Sequence, residues 1–282
     1  MATPFATPRA RALGFGLRTC REARNLGVRQ LARKIGVHAQ ELSNWEYGKR
    51  IPKVEQVALL LGFLVVEPGE RARLLELART AREPSWLEQS MPGRKLGAYV
   101  DYEREASELF GWEPALLPGL FQTPAYARIA LAGFGVVGDE LEKLVALREA
   151  RRSLLRGPRP TPFRAVVGEA ALRPEFIERP VMVDQLRFLL QLSRRPNISL
   201  QVFRGSPRFH AGLCGPFVIL DFPQLPPIVF LEQFRASAYL YAEDQVADYR
   251  SAAKNLAALA MSEQDSCAFI GEVIAELGGS DG

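Results

Sequence analysis

The sequence predicts two domains. An N-terminal all-α domain of five short helices covers residues 1–83 in a helix-turn-helix arrangement. A larger α+β domain covers 96–277, with a small mixed or antiparallel sheet. Three observations predict this. Apolar residues recur at three- and four-residue steps through residues 12–82, broken by Gly and Asn. Glu83-Pro84-Ser85 and Met91-Pro92-Gly93 punctuate the chain and mark a linker over 84–95. Beyond it, runs rich in Val, Ile, Phe and Leu alternate with helical spacing. Residues 278–282 read as a fraying tail.

The first helix is expected from Ala12 to Arg24, on Leu13, Leu17 and Cys20, with Asn25 and Gly27 stopping it. The second runs from Val28 to Ile35, with Val28, Leu31, Ala32 and Ile35 on one face, and Gly36 makes the turn. The third runs from Ala39 to Tyr47 and buries Leu42 and Trp45; His38 precedes it as a capping candidate. A fourth follows from Val54 to Leu64 and a fifth from Gly69 to Arg82. In the second domain, helical spacing predicts a long helix from Leu96 to Phe110, then an extended piece near Ala115–Leu117. Thr123-Pro124 reads as a cap followed by proline at the first helical position. Further helices are expected over Asp139–Arg156, Pro180–Arg194, Glu243–Met261 and Glu263–Leu277, the last capped by Ser262 or Asp265. Strands are expected at Phe163–Gly168, Ile198–Phe203, Gly215–Asp221 and Ile228–Glu232.

Composition excludes several classes. The 282 residues are 48% hydrophobic and 24% charged, which is ordinary for a globular chain and not for a disordered one. Cys20, Cys214 and Cys267 lie far apart without a CxxC and read as buried apolar side chains, not a disulfide framework. Two histidines, His38 and His210, argue against a His-rich metal site. The longest apolar run, Val57–Val66, is half the ~20 residues of a membrane span, and the N-terminus has no apolar signal segment. The expectation is a cytoplasmic protein that needs no cofactor or metal and does not enter membranes.

The net charge of +4 is unevenly spread. Residues 1–53 hold 11 basic and 3 acidic residues, while residues 84–282 hold 21 and 24. A basic segment on a mildly acidic body points to a polyanion partner for one part only. Two short helices around a glycine turn form a helix-turn-helix. The exposed face of helix three is then Ala39, Gln40, Glu41, Ser43, Asn44 and Tyr47. Amides at Gln40 and Asn44 offer a donor and an acceptor to an adenine edge in the major groove. Arg29, Arg33, Ser43, Tyr47, Lys49 and Arg50 are the candidates for phosphate contacts, which position without reading sequence. Trp45 reads as core, and Glu46 as a brace for the following turn.

Leu31-Ala32-Arg33-Lys34-Ile35-Gly36-Val37, then Leu42-Ser43-Asn44-Trp45-Glu46-Tyr47-Gly48-Lys49-Arg50 and Pro52, resembles the xenobiotic-response-element (phage repressor, Cro-like) helix-turn-helix. The resemblance implies base readout by Ala39, Gln40 and Asn44. Gly27-Val28 stands where that family usually has a serine cap and a glutamine on the DNA backbone.

The second domain carries no GxSxG, GxxxxGK[ST], HExxH or GxGxxG, so an enzyme is not expected. Glu169, Arg173 and His210 sit beside strand ends and read as structural; a deep pocket lined by them would favour a small-molecule sensor instead. Arg148, Arg152 and Arg156, at four-residue steps, are expected to share a helix face, either solvated or offered to a partner. Pro118-Gly119-Leu120-Phe121-Gln122-Thr123-Pro124-Ala125-Tyr126-Ala127-Arg128 is similar to a signature of actinobacterial helix-turn-helix regulators with an antitoxin-like C-terminal domain. Glu169–Arg173, Met182–Leu186, Arg195–Val202 and Gly215–Leu220 follow in that family's order. Arg151-Arg152-Ser153 and Phe203-Arg204 depart from it. This resemblance implies a transcriptional regulator, expected as a homodimer on double-stranded DNA, whose large domain binds a small partner protein encoded nearby. An antitoxin whose main role is sequestering that partner is the alternative.

Overall fold

The computed structural model describes residues 7–83, 86–89, 97–206, 208–234 and 236–278. The chain divides into two compact units. Unit one is residues 1–88 with 96–105 and 238–241; unit two is 89–95, 106–237 and 242–282.

Unit one begins with five helices: α1 (Pro8–Glu22), α2 (Val28–Ile35), α3 (Ala39–Glu46), α4 (Val54–Phe63) and α5 (Pro68–Thr80). The Thr7 hydroxyl caps α1 by accepting from the Ala10 N–H at 3.2 Å, and Pro8 supplies a pre-set first position. Leu13, Phe15, Leu17, Leu31, Leu42, Trp45, Leu60 and Leu74 fill the core. Of the expected linker, Trp86–Gln89 form strand β1, and the rest lies outside the described residues. α6 (Gly97–Glu105) also belongs to this unit; its Tyr102 ring meets Phe15 edge-on at 5.7 Å.

The long helix expected from Leu96 to Phe110 is corrected. It ends at Glu105, and Glu108–Glu113 form strand β2. The extended piece expected near Ala115–Leu117 is a bend.

In unit two, β2 is the central strand, flanked by β3 (Phe163–Gly168) in parallel and β5 (Phe217–Asp221) antiparallel. β4 (Ile198–Phe203) extends β3 in parallel, and β6 (Ile228–Gln233) pairs antiparallel with β5. The sheet is therefore mixed, in the order β6-β5-β2-β3-β4. β7 (Ala236–Leu240) was not anticipated.

The helices are α7 (Pro124–Gly133), α8 (Gly138–Arg151), α9 (Arg179–Leu192), α10 (Glu243–Leu259) and α11 (Glu263–Gly278). α9 and α11 pack together, α11 lies on β4, and α7 and α8 form a hairpin. Ser266, fully buried, accepts from the Val202 N–H at 2.8 Å and ties α11 to the sheet. Ser262 caps α11 through the Asp265 N–H at 3.0 Å.

Side-chain amides hold the signature Pro118–Arg128. Gln122 donates to Leu117 O at 2.8 Å. Gln185 on α9 donates to Phe121 O and accepts from the Thr123 N–H, at 2.8 and 2.6 Å. The Thr123 hydroxyl caps α7 at the Tyr126 N–H. Cys20 and Cys267 are half-buried, whereas Cys214 is exposed and not the buried apolar side chain expected of it. Among the described residues, no helix is long and apolar enough to cross a membrane.

Candidate nucleic-acid interface

Gly27 is the N-cap of α2, and the Gln30 side-chain Oε1 reaches back to accept from the Gly27 N–H at 2.9 Å. Half of a capping box therefore survives the missing serine. Gly36, at φ +73°, takes the left-handed conformation that lets the Val37 N–H return to Ala32 O at 3.0 Å. α3 then begins at Ala39. The His38 side chain makes no capping bond, contrary to its reading as a cap; its carbonyl receives the Glu41 and Leu42 N–H groups instead.

Close packing seats α3. Leu42 and Trp45 are buried at 0% and 2% exposure. A Cβ at Gly14 of α1 would fall 2.5 Å from Trp45 O, so only glycine lets these two backbones approach. At the end of α3, Glu46 is buried and forms two hydrogen bonds with Arg21 of α1: Nε to Oε1 at 2.6 Å and Nη2 to Oε2 at 2.9 Å. Arg21 Nη1 also donates to Leu26 O at 2.7 Å. The Glu46 bond is the main cause that raises Arg21 above its ordinary pKa. Glu46 thus clamps α3 to α1 and to the turn before α2, not to the turn that follows it.

What remains outward on α3 is polar. Gln40 is exposed, Ala39, Glu41, Ser43 and Asn44 are half-buried, and the Gln40 Nε2 donates to Asn44 Oδ1 at 3.3 Å. The two amides stand one above the other on the same face. Past α3, the Arg50 N–H donates to Asn44 O at 3.1 Å and folds the basic loop back. Tyr47 is half-buried between two cations, Arg18 at 5.3 Å and Lys49 at 5.5 Å from its ring centroid. Arg29, Arg33, Lys49 and Arg50 are exposed.

The charge of residues 1–53 is sorted by the fold. Arg9 pairs with Glu83, Arg18 with Glu105 and Arg21 with Glu46. Arg24 donates to Leu64 O and Val65 O at 2.7 and 2.8 Å. Arg11 is buried, lies 5.9 Å from the Tyr102 ring centroid, and is pushed down to about 10 by burial. Among the described residues, Arg29, Arg33, Lys34, Lys49, Arg50 and Lys53 form no ion pair and are all exposed. Lys34 and Lys53 belong to this set although the motif did not point to them. Exposed cations between the motif's apolar positions were the available signal.

The arginine run of unit two behaves differently. Arg148, Arg152 and Arg156 do not share an outward face. α8 ends at Arg151, and Arg152 opens a 3-10 turn to Leu155. Arg148 is half-buried and donates to Gln122. Arg152 is 7% exposed, pairs with Glu149 at 3.0 Å and lies 5.2 Å from the Phe188 ring centroid. Only Arg156 of the three is exposed. Arg173 pairs with Glu276, Glu169 with Arg204 at 3.2 Å, and His210 lies buried against Trp112 and Phe203.

Residues 12–74 match a family model described as a helix-turn-helix domain. Residues 96–272 match one described as a domain of unknown function (DUF5753). No curated protein and no solved structure matches the chain. The second match spans more than half of the sequence, and the chain belongs to the family of that domain of unknown function, DUF5753, joined here to a helix-turn-helix domain.

Proposed function

We propose that the protein is a sequence-specific DNA-binding transcriptional regulator that places α3 in the major groove. One observation supports this above others. The outward face of α3 carries two adjacent amides, Gln40 and Asn44, beside exposed cations that have no acid to neutralise them. Phosphates neutralise Arg29, Arg33, Lys49 and Arg50, with the Ser43 and Tyr47 hydroxyls as further donors. Gln40 and Asn44 read base edges, and Ala39 offers its methyl to a thymine methyl. Glu41, in the same turn, disfavours close phosphate approach there.

A homodimer on two half-sites about one helical turn apart fits a single short recognition helix. We take the Cro-like and antitoxin-like resemblances as the basis for unit two serving as the regulatory part, with a small partner protein. On this reading the protein acts in the cytoplasm, and by binding, not by catalysis.

The test is selection of an operator from random duplexes with the full chain, followed by binding of Gln40→Ala and Asn44→Ala. Each is expected to lose about 1–3 kcal/mol of discrimination at the base pair it reads. Unchanged operator selectivity in the double variant would remove these residues as readers.

A further inference from the structure

Unit one is built around α1, and ten of the 15 residues of that helix are buried. Successive residues turn by about 100° on a helix and so face different neighbours. Gly14 lies against Trp45 of α3, Phe15 against Tyr102 of α6, and Gly16 against Leu74 of α5. One side of α1 is therefore covered by a helix that lies beyond residue 95 in the chain, and not by the helix-turn-helix itself.

The contact of α6 is largely polar. The Tyr102 hydroxyl donates to Pro8 O, and the Arg104 guanidinium donates to the Thr19 hydroxyl. Arg18 pairs with Glu105. Asp101 accepts from Arg73 of α5 at 3.1 Å, and Arg73 also holds Glu70 at 2.7 Å. Tyr102 is the centre of the set. It is 0% exposed, and its ring centroid lies 5.7 Å from that of Phe15 and 5.4 Å from that of Tyr239. α6 has only nine residues, too few for a helix to hold by itself in water. Docking on α1 is what keeps it formed, so release and melting go together.

The same α1 seats α3. Arg21 clamps Glu46, and Gly14 admits Trp45. Arg11 joins the two contacts directly. A Cβ on Gly48, just past α3, would fall 2.9 Å from Arg11 Cα, while the Arg11 guanidinium lies 5.9 Å from the Tyr102 ring centroid. Displacing Tyr102 thus disturbs the residue against which the end of α3 rests.

We propose that docking of α6 on α1 sets the operator affinity of α3, with Tyr102 as the positioning residue. This rests on the reading of α3 as the DNA-binding helix. Only Ala106 and Ser107 separate α6 from β2, the central strand of unit two, so the element that governs α3 is the one through which the chain passes from one unit to the other.

The experiment is amide hydrogen exchange together with duplex binding, both on the full chain. Tyr102→Phe keeps the ring and removes the bond to Pro8 O; Tyr102→Ala removes the ring as well. Val57→Ala, in the buried face of α4, is the control for lost stability. In Tyr102→Phe, exchange in α3 is expected to rise together with exchange in α6, by about two- to tenfold. Tyr102→Ala should raise it further; if that variant does not fold, Tyr102→Phe carries the test. Operator affinity well below Tm should fall in the Tyr102 variants and stay unchanged in Val57→Ala. A purely structural role would lower Tm and leave the affinity of the folded protein as it is. Linkage also requires operator DNA to slow exchange in α6 of the unaltered protein. The proposal is overturned if α3 keeps its exchange rate in the Tyr102 variants, if operator leaves α6 exchange unchanged, or if Val57→Ala weakens operator binding as much at equal loss of Tm. Should the unaltered chain select no operator, the DNA reading fails, and exchange in α3 still decides whether α6 governs it.

Discussion

Around α3 the cations stand beside no acid, whereas many surface arginines of unit two meet one. Arg128 pairs with Glu142, Arg164 with Glu108, Arg187 with Asp184, Arg204 with Glu169 and Arg250 with Asp221. Arg29, Arg33, Arg50 and Lys53 have no such neighbour among the described residues. Among the described residues, Arg156, Arg159, Arg179, Arg194 and Arg208 of unit two are also exposed without an ion pair, but they come from separate segments, whereas the unpaired cations of residues 1–53 gather on α2 and the loop after α3. The paired arginines of unit two are neutralised within it, and exposed pairs of that kind add little stability. The α2–α3 face leaves its charge for something outside the chain. A count of cations does not define a candidate polyanion surface, but cations without internal partners gathered around one outward helix do.

The largest effect expected from this contrast is at the buried Arg21–Glu46 pair. Glu46→Ala strands the Arg21 guanidinium in the core, which is expected to cost about 3–5 kcal/mol of unit-one stability. Urea unfolding followed by Trp45 fluorescence measures it. The matching truncation at the surface of unit two, Glu142→Ala, is expected to cost at most about 1 kcal/mol. Equal costs for the two would mean that burial does not separate these pairs, and would remove Glu46 as the clamp on α3.

The next effect concerns charge alone. Arg50→Ala should weaken binding to operator and random duplex alike, and lower the slope of log affinity against log salt by about 0.9. Arg128→Ala, whose cation already has Glu142, should leave the slope unchanged. If Arg128 moved the slope as much as Arg50, neutralisation within the chain would not decide which cations meet DNA.

The sequence showed unit one more fully than unit two, for physical reasons. α2 was read end to end, because its four apolar residues fall on one face and Gly27 and Gly36 flank it. β3 and β4 match their expected bounds, since Pro162 and Asn197 precede them and Gly168 closes β3. β2 fits the end of a helix on spacing alone. It is buried on both faces between β3 and β5, so Leu109, Phe110, Gly111 and Trp112 form a continuous run with no alternation. Such a run also fits helical spacing, and only pairing with residues more than fifty positions away settles it. The outward polar face of α3 was legible because it is local: Ala39, Gln40, Glu41, Ser43 and Asn44 lie on one helix. The Arg21–Glu46 clamp was not, because it joins residues 25 positions apart that no spacing rule links. The arginine run misled for the related reason that a four-residue step predicts a shared face but not which way the face turns.

The smallest effect tests how the two units start their helices. In unit two, α7 has a hydroxyl cap at Thr123 and α11 one at Ser262. In unit one, α2 has Gly27, whose φ of −72° and ψ of 153° already suit a capping residue of any kind. A Cβ there would meet nothing closer than Gln30 Oε1 at 3.6 Å, an ordinary contact. Gly27→Ser therefore adds a hydroxyl that can accept from the Gln30 N–H, while Gln30 keeps its bond to the residue 27 N–H, completing the reciprocal pair. The gain expected is a few tenths of a kcal/mol, because glycine is itself a tolerable cap. Urea midpoints of the two proteins at equal slope give the number. A loss of stability would show that the start of α2 depends on the freedom of glycine and not on an absent hydroxyl, and that the departure at this position is built into the turn.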